Sequence, residues 1–95
     1  MSLSERLNED MKQAMRSQDK FRLSVIRMVR SAIKNAEIER RTTLDDSAVL
    51  DILNRELKQR KESLLEFEKA GRTDLVDQMN AEIAILQEYL PQQLT

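Results

Sequence analysis

Lys20, Arg27, Lys34 and Arg41 recur at intervals of seven residues, and Arg30 stands beside them in the same stretch. On a helix a seven-residue step drifts by only about 20°, so these five cations share one face. A row of guanidinium and ammonium groups along about 30 Å of helix can follow a phosphate backbone, releasing condensed counterions as it binds. Asp19 and Glu37 flank the row, but no acid interrupts it between Lys20 and Lys34. The competing reading is a solvated face, since 35% of the residues are charged and any surface helix needs a polar side. No aromatic shares the face of the cations, Phe21 standing about 100° round the helix from Lys20, and no glycine-rich loop lies near, so base stacking and groove reading are not indicated.

A second group is Glu56, Lys58, Arg60 and Lys61. Arg60 falls in the apolar register between Leu57 and Leu64, where an unpaired buried charge is very costly. Glu56, one turn earlier on the same side, is its expected partner. The pair either fixes helix register or leaves Arg60 lining a binding groove; Lys58 and Lys61 add exposed cations that RNA could use.

Chemistry beyond binding has little to work with. The chain lacks cysteine and histidine, which removes thiol nucleophiles, imidazole bases, disulfides and zinc sites built from the usual ligands. Neighbouring carboxylates, Glu66 with Glu68 and Asp45 with Asp46, carry no sign of a concave apolar pocket to shift their pKa. No serine sits on a strained turn among glycines that would build an oxyanion hole. No catalytic residue, metal site or cofactor is expected, and the reading is a binding protein rather than an enzyme.

The elements that position these groups are helices. The 95 residues make one domain at most, rich in Leu, Ile, Ala, Glu, Lys and Arg, with Gly71 and Pro91 the only residues of their types. Sheets need turns that usually use Gly, Pro or Asn-Gly, so a β architecture is nearly excluded. The expected fold is all-α, a small bundle of about four helices with the second and third long and antiparallel.

The first helix starts at the capping box Ser2-Leu3-Ser4-Glu5 and turns Leu3, Leu7, Met11, Ala14 and Met15 inward. After Ser17-Gln18-Asp19 the second runs from about Lys20 to Arg41, with Val25, Ile26, Val29, Ala32, Ile33 and Ala36 in one stripe. Thr43 with Asp46 forms a box-like start for the third, which extends to about Ala70 with Val49, Leu53, Leu57, Leu64 and Phe67 as its seam. Gly71 ends it in a left-handed conformation. Thr73 is expected to cap the fourth, whose stripe is Val76, Met79, Ile83, Leu86 and Leu90 and which Pro91 stops. Ile85 and Tyr89 lie off that stripe and are expected to be ordinary exposed residues. Pro91 to Thr95 reads as a linker toward a further helix.

Charge is uneven: residues 1–41 hold ten cations and six acids, residues 42–95 six cations and eleven acids. No apolar run approaches the roughly 20 residues of a membrane span, the amino terminus shows no apolar signal segment, and cysteine is absent. These features lead to an expectation of a cytoplasmic protein without membrane partners.

Five segments in order resemble the YqeY-like family: Met1-Ser2-Leu3 with Leu7 to Ala14; Val25-Ile26-Arg27-Met28-Val29 to Ala32-Ile33-Lys34-Asn35; and Arg55 to Ser63. The others are Phe67-Glu68-Lys69-Ala70-Gly71-Arg72 through Asp74-Leu75-Val76, and Glu82-Ile83 to Tyr89-Leu90-Pro91-Gln92-Gln93-Leu94. The resemblance spans the chain. It implies a helical protein related to the carboxy-terminal region of the B subunit of glutamine-dependent aspartyl/glutamyl-tRNA amidotransferase, a region thought to help hold tRNA. Family members usually continue about another fifty residues into a small helical second part, so the chain corresponds to the amino-terminal part. The family label of carbon–nitrogen ligase activity with glutamine as amido-N-donor describes the whole complex, whose chemistry lies in other domains or subunits. The partner it implies is tRNA, or else an amidotransferase or other translation-related protein. RNA would use Lys20, Arg27, Arg30, Lys34, Arg41, Lys58 and Lys61. A protein-interaction or scaffold module without nucleic acid is the alternative, and the oligomeric state is open.

Overall fold

The computed structural model describes residues 1–91. They form four helices, α1 (Leu3–Arg16), α2 (Lys20–Arg40), α3 (Asp46–Lys69) and α4 (Thr73–Gln87), with no strand among the described residues. The chain divides into two compact units, Met1–Ile52 and Leu53–Thr95, and the division falls inside α3. The linker-like reading of Pro91 to Thr95 lies, apart from Pro91, outside the described residues.

In the first unit, Ser2 caps α1: its Oγ accepts the Glu5 N–H at 3.1 Å and donates to Glu5 Oε1 at 3.2 Å. Leu7 and Ala14 of α1 and Val25, Ile26, Val29 and Ile33 of α2 are buried. These positions repeat at three- and four-residue steps, as a core-facing stripe requires. Met15, expected inside, is 44% exposed, because it stands beyond Ala14 at the edge of that stripe. The two helices run antiparallel: Arg30 Nη1 of α2 rests on Met11 Sδ of α1 at 2.8 Å, and Arg27 Nη2 on Met15 Sδ at 3.9 Å.

All three inter-helix turns stop the preceding helix in the same way. After α3, Gly71 is left-handed (φ 69°), the Arg72 N–H donates to Phe67 O and the Gly71 N–H to Glu68 O. After α1 the left-handed residue is Gln18 (φ 57°), with Asp19 N–H donating to Ala14 O and Gln18 N–H to Met15 O. After α2 it is Arg41 (φ 55°), with Thr42 N–H donating to Glu37 O. The second helix therefore closes at Arg40, and Arg41 is already outside it.

Two caps differ from expectation. Asp45, not Thr43, caps α3, its Oδ1 accepting the Ala48 N–H at 2.9 Å; the helix begins at Asp46, which leaves Thr43 too early to reach an orphan N–H. Thr73 lies inside α4, and Arg72 occupies the cap position without a side-chain cap bond. Arg72 instead grips Asp74 in the first turn, with Nε to Oδ1 at 3.3 Å and Nη2 to Oδ2 at 3.2 Å. That hydrogen bond, with a second from the Leu75 backbone, holds the Asp74 carboxyl below the usual 3.8.

In the second unit Glu82, Ile83, Ile85 and Leu86 of α4 are buried, as is Tyr89 beyond its end. Ile85 and Tyr89 were expected at the surface. The buried arc of α4 spans about 160° at 100° per residue and is centred near Glu82 rather than on the purely apolar stripe. A charged residue left out of the pattern displaces the inferred face, and Ile85 lies beside Glu82 on the true one. Tyr89 follows the last turn, where Glu88, Tyr89 and Leu90 N–H groups donate three residues back, so straight helical spacing no longer sets its direction.

Candidate nucleic-acid interface

The cations of α2 are placed by the same periodicity that buries its opposite side. With Val25, Ile26, Val29 and Ile33 turned into the core, Lys20, Arg27, Arg30 and Lys34 stand exposed. Arg27 and Arg30 are three residues apart and Arg30 and Lys34 four, so they form adjacent steps of one row. Among the described residues none of these four takes part in an ion pair, although Arg22 beside them pairs with Asp19 at 3.6 Å. Arg27 and Arg30 touch thioether sulfurs, weak acceptors that leave their charge uncompensated. Arg41 is exposed at the left-handed stop, off the helical row.

The flanking acids are engaged elsewhere. Asp19 Oδ1 caps α2 through the Arg22 N–H at 3.0 Å, and Glu37 Oε2 accepts the Leu44 N–H at 2.9 Å. Asp46 Oδ1 accepts the Leu3 N–H at 2.9 Å, joining the start of α3 to the start of α1. These carboxylates satisfy orphan donors at helix starts and in the α2–α3 loop, where partial positive charge accumulates.

In the second unit Lys58 and Lys61 stand exposed on α3. Arg60, between them in sequence, is 6% exposed. Its Nη1 lies 3.1 Å from Glu56 Oε1 and also donates to the Glu56 carbonyl at 3.1 Å, while its Nε donates to Glu82 Oε1 of α4 at 2.8 Å. Gln78 Nε2 donates to the other Glu82 oxygen at 3.1 Å. The pair read from sequence is thus part of a larger group, and Glu82 and Gln78 were missed. A signal was present: Arg60 lies eleven residues before Gly71 and Glu82 eleven after it, so a hairpin turning at Gly71 brings them level. No buried side-chain nitrogen or oxygen among the described residues lacks a hydrogen bond, so this group is complete as it stands.

The arrangement defines a helical domain with a buried polar group that holds α3 to α4 and a cationic row on α2 without ion pairs among the described residues. A family model described as Yqey-like protein matches residues 4–95, and the chain belongs to that family. Curated relatives carry the name "Altered inheritance of mitochondria protein 41, mitochondrial". That of Lachancea thermotolerans is 41% identical over 87 residues, covering 90% of this chain and 46% of the relative. The Kluyveromyces lactis protein is 42% identical over 84 residues (87% and 45%), and one from Saccharomyces cerevisiae 36% over 87 (90% and 47%). The chain spans less than half the length of these relatives.

The expectation of a cytoplasmic protein is overturned by these relatives, which are named as mitochondrial. Its basis was absent cysteine and absent apolar runs. Neither separates the cytosol from another reducing compartment, and mitochondrial targeting segments are amphipathic and Arg-rich rather than apolar.

Proposed function

We propose that the chain is an accessory RNA-binding domain that grips tRNA by its phosphates and leaves chemistry to a partner. The observation that supports this reading most is the row Lys20, Arg27, Arg30 and Lys34: exposed on one face, the last three at adjacent steps, free of ion pairs among the described residues, with neighbouring acids committed to backbone N–H groups. The resemblance is to a region of an amidotransferase subunit whose principal tRNA-contacting part corresponds to the family's second helical part, so the row on α2 carries this reading, and on it the glutamine-dependent ligase label belongs to the complex. Lys58 and Lys61 supply further cations.

Four phosphate contacts give a log–log salt slope of about −3, so tRNA affinity falls on the order of a hundredfold between about 50 and 200 mM salt. Fluorescence anisotropy with labelled tRNA measures this. Arg27→Glu with Lys34→Glu is expected to abolish binding while helical content by circular dichroism stays unchanged. A flat salt response, or full affinity in the double variant, would sink the reading.

One observation favours a protein partner as the alternative. Leu65 on α3 is 57% exposed, and Leu64, Phe67, Leu75 and Val76 nearby in the second unit are only half-buried. Leu65→Glu would then abolish binding to an amidotransferase subunit without altering tRNA affinity.

A further inference from the structure

The first unit contains a cleft of about 600 Å³, within the range of small-molecule sites. Its apolar lining comes from Leu7, Ile33 and Leu44, all buried, and Arg30 and Lys34 of the cationic row also line it. The opposite sign is present too, in Glu37, Asp45 and Asp46. Each of these carboxylates is already tied to a backbone N–H, of Leu44, Ala48 and Leu3 respectively, so its charge is offset locally by loop and helix-start dipoles. The two cations have no such offset among the described residues: Arg30 donates to a thioether, and neither Arg30 nor Lys34 takes part in an ion pair.

A ligand that satisfies this lining needs an anionic group for Arg30 and Lys34, a flat body with apolar faces for the aliphatic side chains, and N–H donors for the remaining carboxylate lone pairs. A nucleotide with an exocyclic amine has all three. We propose that this cleft takes one unpaired nucleotide of the RNA whose backbone follows α2, its phosphate held between Arg30 and Lys34 and its base seated over Leu7, Ile33 and Leu44. The inference rests on the RNA-binding reading and sharpens it: the cationic row tracks the strand, and the cleft requires that the strand present a base outside a duplex. Two residues serve both roles, since Arg30 and Lys34 belong to the row and to the cleft. Amine-bearing bases are favoured over uracil, whose Watson–Crick edge offers one N–H donor between two carbonyl acceptors facing the acidic wall.

Titration with adenosine 5′-monophosphate, followed by ¹H–¹⁵N NMR, tests the site without tRNA. Saturable shifts are expected at the Leu3, Leu44 and Ala48 amides, the donors bonded to the three carboxylates. Arg30→Gln with Lys34→Gln should weaken binding by about ten-fold or more, as loss of charge-assisted hydrogen bonds requires. Lys12→Gln, on the exposed side of α1 and outside the cleft, should leave it unchanged. Uridine 5′-monophosphate should bind more weakly; equal binding of the two nucleotides, or no saturable shift at those amides, overturns the proposal. A second comparison separates it from the parent reading. An RNA hairpin with a single-stranded 3′ overhang should bind several-fold tighter than a blunt hairpin of equal length. Equal salt-dependent affinity for both would overturn the cleft and leave phosphate binding intact, whereas nucleotide saturation without any tRNA binding would overturn both the parent reading and the strand's place in the cleft.

Discussion

Gln18 and Arg41 occupy left-handed backbone positions that an L side chain adopts only at a cost of about 1–2 kcal/mol. Gly71 fills the equivalent position after α3 without it. Glycine would lose more chain entropy on folding, about 0.5–1 kcal/mol, so Gln18→Gly should stabilise the protein by a few tenths to about 1 kcal/mol, measured as a shift in urea midpoint at constant slope. The sequence showed one of these three stops because only one carries the residue type that advertises it. The other two are set by where the apolar stripes end, with the hydrogen bonds of the stop holding a residue of ordinary preference in place. The cationic row was legible for the opposite reason: spacing alone put Lys20, Arg27, Arg30 and Lys34 on one face, whereas the engagement of Glu37, Asp45 and Asp46 by backbone donors depends on loop geometry.

Between helices, the group of Glu56, Arg60, Gln78 and Glu82 decides how α3 and α4 pair. Removing one member of a buried ion pair costs about 3–5 kcal/mol, because the remaining charge is stranded, while replacing both by apolar residues is often neutral. Arg60→Met is therefore expected to destabilise by that amount, and adding Glu82→Leu should recover most of it. Denaturant melts of both single variants and the double variant give the coupling energy directly. A gain confined to the double variant would show that the pair supplies no net stability over an apolar replacement. Here too the reading from residues reached halfway: Arg60 in a seam required a partner, and Glu56 was the one visible along a single helix. Glu82 enters only through the hairpin about Gly71, and leaving it out turned Ile85 to the wrong side.

At the level of the whole chain, the basic-to-acidic split by sequence is softened by the fold. The first unit ends at Ile52 and so takes in Asp45, Asp46 and Asp51, leaving ten cations against nine acids. On the RNA-binding reading, attraction for a polyanion would rest on the arrangement of charge along α2, not on net charge. The unit boundary also lies within α3, which continues from Asp46 to Lys69 without interruption. Thermal unfolding is expected to be a single transition by circular dichroism and calorimetry, with equal van't Hoff and calorimetric enthalpies. Two resolved transitions would show that α3 can melt at Ile52 while either side persists.

That shared helix also governs how the molecule can be cut. A fragment ending at Ile52 would keep only seven residues of α3, far short of the roughly 12–15 that make an isolated helix even marginal, and would lose the turns that anchor it. Limited proteolysis therefore has no hinge there to find, and gene dissection at the compact-unit boundary would cut a continuous helix rather than separate two complete sets of elements. Any reassortment of this unit with other domains must take the helix whole.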